Sequence, residues 1–176
     1  LVGSEMCIRD SYGLDFSELP ALIGAFAYGP VAGVMIEFCK ILIKLVLKPS
    51  STAFVGELAN FSISCMLVLP ASVIYLFKKS RKQAILGTVV GTLIMTAFGS
   101  CFNAIYLLPK FSELYGIPLD AIIGMGTAIN PAIHSISGLV LMCVVPLNLL
   151  KGGLVSLITI LVYKKLSPIL KAAHKQ

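Results

Sequence analysis

GELANFSISCMLVLPASVIYLFKKSRKQAILGTVVGTLIMTAFGSCFNAIYLLP, residues 56–109, sets four cations between two long apolar runs. Each run has the roughly 20 apolar residues that a helix needs to cross a hydrocarbon core. KKSRK, residues 78–82, is the most basic segment of the chain, and Lys and Arg accumulate in cytoplasmic loops. The stretch therefore predicts one helix from Glu57 to Phe77 that enters toward the cytoplasm. A second, from Gln83 to Leu108, leaves it and is stopped by Pro109, which cannot donate to the helical ladder.

Composition carries the same message across the chain. It is 57% hydrophobic and 12% charged, against about 25% charged residues in an ordinary soluble domain. Mean hydropathy is +0.95. A soluble fold of 176 residues could not hide so much apolar surface, so the expected class is an all-α integral membrane bundle. The net charge of +6 does not point to nucleic acid. Its Lys and Arg residues sit at the ends of apolar runs, the pattern that orients a chain in a bilayer. Five cysteines at 7, 39, 65, 101 and 143 form no CxxC pair, so neither a zinc site nor a disulfide framework is expected. Four of them are expected to act as small buried hydrophobes.

Upstream of this hairpin, the apolar run of residues 19–47 is broken at Gly29-Pro30. Pro disfavours helix in the residue before it and interrupts the ladder, which predicts a short helix over 18–28 and a full one over 30–47. Glu37, Lys40 and Lys44 share a face of the latter, where an intrahelical ion pair can form. Residues 1–12 are polar and lack the apolar core of a signal peptide. They are taken as an unrelated leader, and residues 13–176 as a single transmembrane domain.

Downstream, residues 119–166 have apolar length for two spans and end in the basic YKK. If both basic segments are cytoplasmic, the number of crossings between them is even. The returning helix is then placed at 146–166, and residues 119–145, interrupted at Asn130-Pro131 and closed by Pro146, form an outer or re-entrant segment. A parse with three spans in this half puts YKK outside.

Polar groups inside a membrane are costly, about 2.5–3.5 kcal/mol for a charge at a helix centre, so their placement is informative. In this topology Asp15 and Glu18 precede the short helix on the outer side. Glu57 and Asn60 begin the next inward helix, Asn103 lies near the outer end of the fourth, and Asn148 and Lys151 begin the last. All are expected at one membrane level, beside Phe16, Phe61, Phe102 and Tyr106. Such a set describes a pocket for a planar molecule that hydrogen-bonds along its edge. Dipole complementarity alone can account for Asp15 and Glu57. A cation in the first turn opposes the dipole, so Lys151 requires another reason.

Four motifs, LDFSELPALIGAFAYGPVAGV, GELANF, GMGTAINP and VVPLNLLKGGLVSLITILVYKKLSP, agree in order and spacing with one family. From about Leu14 to Pro168 the chain resembles the riboflavin-specific S components of energy-coupling factor (ECF) vitamin transporters. The resemblance implies six transmembrane helices, about five of them retained here, because a first helix would precede LDFSELP. It implies riboflavin as a transported ligand rather than a cofactor, captured at the outer face of the bacterial cell membrane. It also implies an ECF transmembrane coupling protein and two ECF ATPases as partners. The NLLK segment carries Asn148 and Lys151 over as contacts to the flavin ring. Leu14, Asp15 and Phe16 stand where a capping loop joins the short helix, and Asn103, Tyr106, Glu57 and Asn60 complete the expected site.

No GxxxxGK[ST] loop occurs in the sequence, so energy for uptake is expected from partner subunits. A scaffold for another vitamin is the rival within the class. A small intramembrane enzyme using Glu57 or Lys151 is the rival outside it. Gly87 and Gly91 form a GxxxG expected to pack helices closely.

Overall fold

The computed structural model describes residues 18–47, 54–116, 118, 120–121, 123–124, 127 and 135–172. Helix α1 (Glu18–Tyr28) and helix α2 (Pro30–Leu47) meet at Gly29. The break falls where the Gly-Pro pair predicts it. Gly29 has φ +98°, a conformation that costs a glycine little, and Pro30 opens α2, where its missing N–H is not needed. Helix α3 (Val55–Phe77) and helix α4 (Arg81–Phe102) flank the basic turn. Ser80 caps α4 by accepting a hydrogen bond from the Gln83 N–H at 3.3 Å.

Two elements differ from expectation, and proline accounts for both. Helix α4 passes through a π turn (Asn103–Leu107) into helix α5 (Leu108–Tyr115), so Pro109 does not end it. Helix α6 (Ile136–Leu139) passes through a second π turn (Val140–Val144) into helix α7 (Val145–Ala172). The last helix thus begins about ten residues before the expected 146, and Pro146 does not close the segment in front of it. Each π turn ends two residues before a proline. The Leu108 N–H reaches Asn103 O, and the Val145 N–H reaches Val140 O. A proline ring clashes with the carbonyl four residues back, and widening that turn accommodates it while the helix continues. Of the expected outer segment 119–145, residues 136–145 are helical, and most of the remainder lies outside the described residues.

Three helices among the described residues are long and apolar enough to cross a membrane, Val55–Phe77, Arg81–Leu114 and Ile136–Val162. The core is built by Leu22, Ala25 and Phe26 of α1, Leu67, Val68, Ala71 and Tyr75 of α3, Met95 of α4 and Val155 of α7. The Phe26 and Tyr75 rings pack with centroids 4.7 Å apart. Gly87 and Gly91 seat α4 on α3 as the GxxxG predicts: a Cβ at either position would lie 2.6 Å from Ala71 O or Leu67 O. Large apolar side chains such as Val31, Val46, Leu93, Ile105 and Leu161 point outward, as expected for a lipid-facing surface. The cysteines depart from expectation: Cys65 is buried, while Cys39 and Cys101 are exposed and Cys143 is half-buried.

Candidate functional site

Glycine contacts fix the register of the bundle. Gly91 against Leu67 and Gly87 against Ala71 make α3 and α4 antiparallel. Gly99 against Asn148, and Gly152 against Thr92, do the same for α4 and α7. The Thr92 and Ser156 hydroxyls, 3.3 Å apart, agree with that register. The basic turn at 78–82 and the end of α7 therefore lie at one end of the bundle. The polar set lies toward the other.

Its deepest member is an ion pair between helices at opposite ends of the sequence. Lys151 Nζ of α7 lies 2.6 Å from Glu18 Oε1 of α1, and Ser64 Oγ of α3 donates to that same oxygen at 2.7 Å. Glu18 is fully buried, and the Lys151 side chain is 13% exposed. Ser64 is nine residues into α3, ~14 Å at 1.5 Å per residue. Glu18 accordingly sits inside the bundle rather than at its outer edge. Lys151 is likewise not in a first turn, because its helix begins upstream. The dipole objection to it falls away, and the Glu18 carboxylate supplies the reason for its position.

One turn outward on α7, Asn148 is buried, with its Nδ2 about 3.0 Å from where a Cβ on Gly99 would stand. Any side chain at 99 would press on that amide. On α4, Asn103 is buried and donates through Nδ2 to Gly99 O at 2.7 Å. On α3, Glu57, Asn60 and Ser64 recur at helical spacing and share one face, with Glu57 and Asn60 half-buried. The expected single level is in fact a ladder. Lys151 with Ser64 forms the lowest rung, Asn148 with Asn60 the next, and Glu57 with Asn103 the uppermost. Lys151 and Asn103 are offset by about two helical turns, ~11 Å. Helices that cross in antiparallel register bring residues to one depth only where their numbers match, which a reading of helix ends alone does not reveal.

Aromatic rings continue the ladder outward. Phe98, Phe102 and Tyr106 stack along α4 and its π turn, with centroids 5.6 and 5.2 Å apart, and Tyr106 is 42% exposed. Phe61 instead meets Phe38 of α2 edge-on at 6.3 Å. Leu14, Asp15 and Phe16 lie outside the described residues.

Six buried side-chain atoms lack a hydrogen-bond partner among the described residues; three belong to Glu37 and Lys40, which contact each other as an ion pair, and the other three are Glu18 Oε2, Asn148 Nδ2 and Ser100 Oγ. Leaving such a group unmet costs about 1–3 kcal/mol, and native cores rarely tolerate it. The latter three offer an acceptor, a donor and a hydroxyl that can do either, beside a Lys ammonium with donors to spare. Sequence reasoning put Glu18 in the outer polar set but did not place Ser64 or Ser100 there. Glu18 was visible as the acid opening the short helix, and only the fold reveals that it meets Lys151. Among the described residues no cluster of His, Cys, Asp or Glu could hold a metal ion.

Known proteins supply a family. Residues 5–163 match the ECF transporter, substrate-specific component family. "Riboflavin transporter RibU" of Staphylococcus aureus (strain TCH60) is 33% identical over 90% of this chain and 76% of its own length. "Riboflavin transporter FmnP" of Bacillus subtilis (strain 168) is 30% identical over 92% of this chain and 80% of its own. A solved structure described as "Structure and mechanism of the S component of a bacterial ECF transporter" superposes with a TM-score of 0.65 at 34% identity. It covers 89% of this chain and 79% of that one. The chain is a membrane protein that belongs to the substrate-specific, or S, component family of ECF transporters.

Proposed function

We propose that this chain is the riboflavin-binding S component of an ECF-type uptake transporter in a bacterial cell membrane. It captures riboflavin at the outer face and releases it inward after docking on an ECF module made of a transmembrane coupling protein and two ATPases. The observation that carries this reading is the set of unpartnered buried atoms Glu18 Oε2, Asn148 Nδ2 and Ser100 Oγ, with Glu18 held against Lys151 and Asn148 one turn from Lys151 on α7. The names of the 30–33% identical relatives support the choice of vitamin.

The chemistry suits the ligand. The uracil-like edge of a flavin presents carbonyl acceptors flanking an N–H donor. An Asn amide can meet both kinds of group, and a Lys ammonium can donate to a carbonyl. Ribityl hydroxyls require acceptors, which Glu18 Oε2 and the Glu57 carboxylate can supply. The dimethylbenzene end requires apolar walls, which the Phe102 and Tyr106 rings provide. A ladder ~11 Å deep matches an elongated guest better than a single ring of contacts would. Leu14, Asp15 and Phe16 are assigned to the lid, and Asn60 and Asn103 to the wall of the site. Residues 13–176 act as one substrate-binding domain. Because buried polar partners are left unmet by an analogue lacking the matching edge, they also select.

The test is the ligand that accompanies the protein. Protein purified from riboflavin-supplemented cells is expected to be yellow and to release unmodified riboflavin on denaturation. Colourless protein that takes up no riboflavin but binds another vitamin contradicts the assignment. Chemical conversion of an added substrate contradicts the transporter reading as a whole.

A further inference from the structure

A second buried ion pair lies outside the proposed contacts. Lys40 Nζ is 2.6 Å from Glu37 Oε2 on α2, with the Glu37 side chain fully buried and that of Lys40 14% exposed. Both stand near the middle of the 18-residue α2, where charges are expensive and functional by default. The two pairs are close enough to feel each other. Gly33 of α2 lies against Val68 of α3, and Phe38 against Phe61, so the two helices are antiparallel and Glu37 stands at the depth of Ser64, whose hydroxyl bonds Glu18. Two carboxylates and two ammoniums thus share one low-dielectric interior, and their pairing is Glu18 with Lys151 and Glu37 with Lys40.

That pairing has an alternative. Lys151 would be drawn toward Glu37 if nothing neutralised it, since an unpaired buried carboxylate is a stronger attractor than one already paired. We propose that Lys40 is a positioning residue for Lys151: by neutralising Glu37, it keeps that carboxylate from competing with Glu18 for the Lys151 ammonium. Lys151 is thereby held toward Asn148 at the floor of the site. Lys40 itself touches no ligand in this account, and the inference rests on the reading of Lys151 as a riboflavin contact.

The experiment is a set of riboflavin titrations, followed by quenching of flavin fluorescence, on full-length purified variants. Lys40→Met is expected to weaken binding tenfold or more, about 1.4 kcal/mol. Lys40→Arg keeps the charge and should stay within threefold of wild type. The neutral double variant Glu37→Gln/Lys40→Met should recover to within threefold, because the competing carboxylate is gone. In a Lys151→Met background, adding Lys40→Met should cost no further affinity. A purely structural pair would instead show the Lys40 penalty in both backgrounds, since the non-additivity reports coupling through Lys151. Where Lys40→Met does not fold, Lys40→Gln, which retains a donor for Glu37, takes its place with the same prediction. A Lys40 variant that binds like wild type, a double variant as weak as the single, or an undiminished penalty without Lys151 overturns the proposal. Failure of the underlying reading appears in a different protein. Lys151→Met binding like wild type removes Lys151 from the site and this role with it.

Discussion

Lys151 meets the fully buried Glu18 at 2.6 Å, and the pair's value differs for folding and for binding. Removing one partner of a buried pair leaves an uncompensated charge and costs about 3–5 kcal/mol. Glu18→Ala is therefore expected to lower the melting temperature of the purified protein markedly. Glu18→Gln, which can still accept from Ser64 and from Lys151, should lower it less. Equal melting of both variants and wild type would show the pair to be dispensable. For binding, Lys151→Ala and Asn148→Ala are each expected to weaken riboflavin by tenfold or more in a fluorescence titration, about 1.4 kcal/mol each. An affinity within twofold of wild type removes that residue from the ligand contacts. At this scale Lys151 and Asn148 were legible from sequence, because polar residues in an apolar run are costly enough to be conspicuous. Glu18 as their neighbour was not, because the ion pair joins positions more than a hundred residues apart and depends on how three helices pack.

The hairpin of α3 and α4 rests on backbone approach. A Cβ at Gly87 or Gly91 would lie 2.6 Å from a carbonyl oxygen of α3, and backbone cannot yield as a flexible side chain can. Gly91→Val is expected to destabilise by about 1–3 kcal/mol through overpacking. Gly153→Ala, which meets nothing within 4 Å, should leave melting unchanged. Thermal unfolding of the two variants in one detergent checks both, and equal melting would contradict the packing role of Gly91. Helix boundaries set by Gly29-Pro30 and by the basic turn were legible, since a glycine with positive φ and a Ser cap are local devices. The ends of the outgoing and returning helices were not. Pro109 and Pro146 act as terminators in an isolated helix, and here π turns and neighbouring helices absorb them. That tertiary accommodation of a local breaker is what membrane bundles permit.

At the scale of the molecule, a bundle with lipid-facing apolar side chains encloses a column of polar groups that its own residues do not fully satisfy. A ligand bound only to the folded state stabilises it by mass action, about 2.7 kcal/mol at a hundred times Kd. Riboflavin should therefore raise the melting temperature in a concentration-dependent way, and a vitamin without a flavin ring should not. An equal shift with an unrelated vitamin would contradict flavin selectivity. Membrane residence and all-helical class were legible from composition alone. The depth of the polar ladder was not, because it follows from the antiparallel register that Gly99, Gly152 and their partners impose.

The most direct measurement is an equilibrium titration of flavin-free, purified wild-type protein with riboflavin, read by the loss of flavin fluorescence. Saturable quenching at one riboflavin per protein, lost when Asn148 and Lys151 are together changed to Ala, is the predicted result. No saturable quenching by the folded wild-type protein, or quenching that survives the double change, would contradict the claim that this buried polar ladder holds the vitamin.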